Sequence, residues 1–79
     1  MYYCYILQSQ KDDSYYVGST QNLRERFQKH NRKEVRYSSS KAPFELAWYG
    51  AFRTKGLSLA FERYLKSSSG FAFRNKRLI

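Results

Sequence analysis

Two stretches near the start of the chain, Tyr2 to Gln8 and Tyr15 to Ser19, are rich in aromatic and β-branched residues. Such side chains suit a pleated, half-buried surface. The polar, turn-prone segment Ser9-Gln10-Lys11-Asp12-Asp13-Ser14 separates them, and the pattern predicts a β-hairpin. Gly18 is expected to end the second strand, where a bulky side chain would obstruct whatever approaches. Two later stretches carry apolar residues at helical spacing. In the first, Asn22 is a candidate N-cap with Glu25 three residues on, and Leu23 and Phe27 form the apolar stripe. That helix is expected to fade near Asn31. Residues 33–43 are polar and basic and read as irregular, with Pro43 opposing a helix. Phe44 to Phe52 supplies a third strand, with Leu46, Trp48 and Tyr49 near its middle. Thr54 then caps a second helix, whose Leu57, Phe61, Tyr64 and Leu65 fall at i, i+4, i+7 and i+8 and are predicted to face the sheet. Phe71 to Leu78 reads as a short final helical turn carrying Arg74, Lys76 and Arg77. The β-β-α-β-α order predicts an α+β domain, a three-stranded, mostly antiparallel sheet flanked by helices.

The length of 79 residues supports one domain, residues 1–79, and no second lobe. Aromatic residues make up 19% of the chain, enough to pack a core despite the polar average. Charge changes the picture more. Fifteen Lys and Arg against six Asp and Glu give a net charge of +9. An excess this large on a small domain points to a polyanion: DNA, RNA or an anionic membrane surface. A merely basic surface is the plain alternative. No apolar run approaches the ~18 residues of a membrane span. The start, Met1-Tyr2-Tyr3-Cys4-Tyr5, lacks the basic-then-apolar pattern of a signal peptide. One cysteine excludes an internal disulfide framework and a cysteine-based zinc site. A reducing, cytoplasmic location is the expectation.

The six carboxylates are Asp12, Asp13, Glu25, Glu34, Glu45 and Glu62. The first three have ordinary work in a turn and a helix cap. No two sit at a spacing that suggests a shared metal site, which argues against a two-metal nuclease. Glu62 lies mid-helix at the border of the apolar stripe. It reads either as a surface partner of Lys66 at i+4 or as the single carboxylate of a hard cation such as Mg²⁺. Arg26 and His30 share one helix face. They read either as a solvated basic face or as a phosphoryl clamp with an imidazole beside it. Tyr3, Tyr5, Tyr15 and Tyr16 crowd the hairpin, as cross-strand packing or, for one of them, as a general base.

Together these positions resemble the GIY-YIG nuclease family. Tyr3-Cys4-Tyr5 stands for its first motif, with the tyrosine kept as Tyr5, and Tyr16-Val17-Gly18 stands for its second. Arg26 lies ten residues beyond Tyr16, and His30 follows at the Arg-x-x-x-His spacing. Phe61-Glu62-Arg63-Tyr64-Leu65-Lys66 is similar to the glutamate segment of the family. The match covers nearly the whole chain, as in small stand-alone bacterial members. The resemblance implies a three-stranded antiparallel sheet flanked by helices, with the active site across one sheet face. It implies one Mg²⁺ or Mn²⁺ ion on Glu62. Tyr16 or His30 would activate water, Tyr5 would orient water or phosphate, and Arg26 would stabilise the charge growing on the phosphate. Asn75 stands outside this implied site.

Arg24, Lys29, Arg32, Lys33 and Arg36 are candidates to line the approach of a phosphate backbone. No recognition helix is evident, so structure-selective rather than sequence-selective cleavage is expected. The leading reading is a metal-dependent DNA endonuclease, with RNA open as a substrate. The alternatives on the same fold are a non-catalytic nucleic-acid-binding module and a nuclease subunit that needs a protein partner for targeting or activity.

Overall fold

A computed structural model describes residues 1–79. The elements are β1 (Tyr2–Ser9), β2 (Tyr15–Thr20), α1 (Leu23–Asn31), β3 (Phe44–Phe52), α2 (Lys55–Leu65) and α3 (Ser68–Arg77), with a 3₁₀ turn over Ser39–Lys41 before β3. The strands form one sheet in the order β2-β1-β3, with both pairings antiparallel. The expected α+β architecture is thus the one observed. No helix is long and apolar enough to cross a membrane.

β1 takes the centre, and it is the strand most continuously buried on both faces. Cys4, Tyr5, Ile6 and Leu7 are buried consecutively, as in a strand covered from both sides. Period-two alternation sorts them. Cys4 and Ile6 pack with Val17 and with Leu65 and Phe61 of α2. Tyr5 and Leu7 point the other way, where Leu7 packs with Ala42, Phe44, Tyr16 and Phe27 of α1. The sheet therefore carries α2 on one face and α1 on the other. Ile6 pairs with Trp48 but Leu7 with Leu46, so Ala47 is the extra residue of a bulge in β3. Beyond it Phe44 comes back onto the Leu7 face.

The caps form where expected. Asn22 Oδ1 accepts from Glu25 N–H at 3.1 Å, and Thr54 Oγ1 from Leu57 N–H at 3.2 Å. Three expectations need correction. The buried stripe of α2 is rotated: Leu57 is 55% exposed and Tyr64 40%, whereas Ser58 and Leu65 are buried. Ser58 is drawn in because its hydroxyl donates to Ser19 Oγ of β2 at 3.2 Å. The C-terminal segment is not a short turn but the ten-residue helix α3. Ser67 caps it, accepting from Gly70 N–H at 3.2 Å. Gly70 has to be glycine, since a Cβ there would lie 1.6 Å from the Tyr64 carbonyl oxygen.

The third correction concerns Gly18, which lies inside β2 rather than at its end. It stands opposite Tyr5, and a Cβ there would lie 2.5 Å from Tyr5 Oη. The glycine leaves room for a neighbour in the fold, not for an incoming ligand. Tyr5 is buried and hydrogen-bonded, so its ring cannot swing aside freely. Gly18→Ala is therefore expected to cost about 1–3 kcal/mol by overpacking, read as a fall in the urea midpoint at unchanged m-value. A variant as stable as the parent would show that the Tyr5 ring yields.

Candidate active site

Two strands and one helix bring the site together. Tyr5 on β1 and Tyr16 on β2 project from the same sheet face, and α1 lies over that face. Arg26 and His30, one turn apart on α1, point down towards them. The Tyr5 and Tyr16 rings stack at 6.5 Å, and the His30 ring lies 4.8 Å from Tyr16 and 5.7 Å from Tyr5. Phe44 closes the far side, 5.7 Å from the imidazole.

His30 is fully buried and has two partners. Its Nε2 lies 2.9 Å from Tyr5 Oη, and its Nδ1 lies 2.6 Å from Ser38 Oγ. Ser38 in turn sits 3.4 Å from the Val35 carbonyl. One assignment satisfies every group: Ser38 O–H donates to Val35 C=O, His30 Nδ1–H donates to Ser38 Oγ, and Tyr5 O–H donates to the bare Nε2. Burial, and then the charge of Arg26, depress the His30 pKa from 6.5 to about 4. The imidazole is neutral at pH 7, as the network requires. Tyr5 is pushed the other way, to about 12, chiefly by burial and only partly offset by Arg26. It keeps its proton and serves as a fixed hydrogen-bond donor. His30 is sealed from solvent, so it touches neither water nor a ligand and acts through Tyr5. Tyr16 is only half buried and lines a surface groove.

Arg26 is the unusual member. Its Nε–H is buried with no hydrogen-bond partner, and no carboxylate forms an ion pair with it. The nearby Tyr5 phenol holds the guanidinium above its ordinary pKa against the opposing effect of burial. An uncompensated cation among phenols is arranged for an anion that arrives from outside.

Glu62 comes from α2, which covers the opposite sheet face. Its charge reaches Tyr5 and Cys4, adding in both cases to the rise that burial causes. Its Oε2 accepts from Lys66 Nζ at 2.8 Å, and its Oε1 makes no hydrogen bond in the protein. The side chain is 21% exposed. No group of three or more His, Cys, Asp or Glu side chains converges to hold a metal ion. A lone half-buried carboxylate with a free oxygen still fits a hard cation, which keeps several waters and takes its other ligands from a phosphate. Cys4 stays a protonated thiol, raised to about 12 by burial.

The five basic candidates lie on the outer side of α1 and in the loop that follows it. Arg24, Arg32, Lys33 and Arg36 are exposed and Lys29 is half buried. Lys29 pairs with Glu25 at 3.3 Å and Arg32 with Glu34 at 3.9 Å, while Arg24, Lys33 and Arg36 have no acidic partner. Sequence reasoning missed Ser38 and gave Arg74 no role beyond its charge. Ser38 lies eight residues beyond His30 within a polar loop, and nothing in the pattern marks it.

The model of the GIY-YIG catalytic domain matches residues 1–77. A UPF0213 protein of Clostridium perfringens is 34% identical over 79 residues, covering 99% of this chain and 80% of its own length. A UPF0213 protein of Bacillus licheniformis is 35% identical over 69 residues, covering 86% and 70%. UPF0213 protein YazA of Bacillus subtilis is 37% identical over 57 residues, covering 71% and 58%. No solved structure matches the chain.

Proposed function

The chain belongs to the GIY-YIG family, a nuclease family, and from that premise we propose that it is a metal-dependent endonuclease acting on DNA, selective for structure rather than sequence. The observation that carries this reading is Arg26, a cation with no acidic partner and a buried, unpartnered Nε–H, beside two tyrosines of which one, Tyr16, reaches a surface groove. A scissile phosphate seated there would place its developing negative charge against the guanidinium. Tyr16, the more accessible of the two tyrosines, acts in its deprotonated form: its phenolate oxygen takes the proton of the attacking water, and its O–H re-forms as the new P–O bond is made. Tyr5, fixed by His30 and Ser38, donates its O–H to a phosphate or water oxygen when it turns from Nε2. Glu62 would hold one Mg²⁺ or Mn²⁺ ion, whose chemistry is to neutralise phosphate charge and acidify a bound water. Arg24, Lys33 and Arg36 position the backbone, which accounts for affinity without sequence preference.

The test is cleavage of a labelled panel of single-stranded, duplex, flap and branched DNA, with RNA alongside, in Mg²⁺, Mn²⁺ or EDTA. Cleavage is expected with either metal and none in EDTA. Glu62→Ala should lose at least about 100-fold in rate. It should also stay folded, because the pair it loses is worth only about 0.3–0.5 kcal/mol. Salt-sensitive binding without cutting, for every metal and substrate, would instead favour a binding module or a subunit awaiting a partner.

A further inference from the structure

On the side of Tyr16 away from α1, a groove of about 280 Å³ is lined by Tyr15, Tyr16, Val17, Leu65, Lys66, Phe71 and Arg74. Its two charged residues are both cations. Lys66 is engaged by Glu62. Arg74 is not engaged by any acid, although it is only 8% exposed. Its guanidinium lies over the Phe71 ring at 4.5 Å and over the Tyr15 ring at 5.1 Å. Only its Nε–H is used, donating to Asn75 Oδ1 at 3.2 Å. The terminal nitrogens bond to nothing in the protein, yet they are not sealed from solvent, since the one sealed and unpartnered side-chain atom in the chain is Arg26 Nε. A cation so deeply packed ordinarily has a carboxylate beside it. Here two aromatic rings flank it instead, and it lines a groove that shares Tyr16 with the candidate active site.

We infer that this groove is a second phosphate subsite, in which Arg74, pinned by Tyr15 and Phe71, holds a backbone phosphate next to the one presented to Arg26. The inference rests on the nuclease reading and sharpens it, since the chain would then need substrate extending past the cut on the Arg74 side. A phosphodiester presents the planar pair of acceptor oxygens that a guanidinium fork matches. Two arginines on either side of Tyr16 would hold the strand at two points and align the bond between them. The exposed edges of Tyr15 and Phe71 leave apolar surface for the neighbouring sugar or base.

The experiment compares wild type with Arg74→Met, which keeps length and packing, in binding a fluorescent single-stranded deoxyoligonucleotide in EDTA across a salt series. The variant is expected to bind roughly five- to tenfold more weakly at low salt, with the slope of log K against log salt shallower by about 0.7. A residue with only a structural role would shift Tm and leave that slope unchanged, and this result overturns the subsite. Should the variant fail to fold, the Arg74 Nε–H resonance of wild type decides. It is expected to move on titration with the oligonucleotide and not with its uncharged methylphosphonate analogue. A resonance unmoved by the charged strand overturns the inference. Wild type that binds but never cuts fails the nuclease reading while leaving this comparison intact, and wild type that does not bind at all overturns both.

Discussion

Arg26→Met should give a more stable protein and a nearly inactive enzyme. The guanidinium is held half buried without an acid, and its Nε–H has no partner. An unsatisfied buried donor costs about 1–3 kcal/mol, and methionine fills much of the same space without it. A gain of about 1 kcal/mol raises Tm by roughly 4–8 °C in a domain of this size. Activity should fall about 10²–10³-fold, the loss expected when a donor placed for developing transition-state charge is removed. The two effects have one origin, for a cation kept unpaired for a substrate is a cost to the apo fold. Removing it also takes away the second cause, after burial, of the low His30 pKa, so the imidazole should titrate higher in the variant by NMR. Thermal melts and initial rates on one preparation check the pair of effects. A lower Tm together with retained cleavage would show that Arg26 is an ordinary structural arginine.

The parts of this fold legible in the sequence were those governed by local rules. The strands follow from aromatic and β-branched runs, and the starts of the first two helices from caps at Asn22 and Thr54. Faces and close approaches were less legible, because they depend on what arrives from elsewhere in the chain. A 3.6-residue period gives α2 a stripe but cannot set its rotation to within one residue. The Ser58–Ser19 hydrogen bond settles that by drawing a serine inward and leaving Leu57 outside. Ser67-Ser68-Ser69-Gly70 carries no periodic signal, whereas in the fold Ser67 is a cap and Gly70 is the only residue type that lets α3 pass the Tyr64 carbonyl. At the candidate site, the spacing of Tyr5, Tyr16, Arg26 and His30 carried most of the information, because β1, β2 and α1 follow one another closely. That spacing left open whether His30 was solvated. It is the most enclosed polar side chain of the site, and the residue that fixes it, Ser38, comes from a loop with no periodic signature. Arg74 was legible only as charge. Its isolation from any acid is a tertiary fact.

The enclosure of His30 makes stability depend steeply on pH. The unfolded imidazole titrates near 6.5 and the folded one near 4, so between these values the unfolded chain binds the extra proton. Stability is fully present above pH about 6.5, falls as pH drops through the interval, and stops falling on this account below about 4. At roughly 1.4 kcal/mol per pKa unit the loss is about 3 kcal/mol, a large part of what a small domain possesses. Asp12, held below the ordinary carboxylate range first by Lys41 and then by Ser14, adds a loss of the same sign at still lower pH. Urea midpoints from pH 7.5 to 4 should show the wild-type decline. His30→Phe should flatten it, even though that variant is weaker at neutral pH because Tyr5 and Ser38 lose their partner. The slope, not the absolute stability, is diagnostic, and an equal slope in the variant would assign the titration to another group. The same proton bears on the site. Once charged, His30 can no longer accept from Tyr5 and must donate to it, which reverses the bond that fixes the phenol and adds a positive charge beside Arg26. Cleavage should therefore decline in acid along with stability, and do so in protein that is still folded.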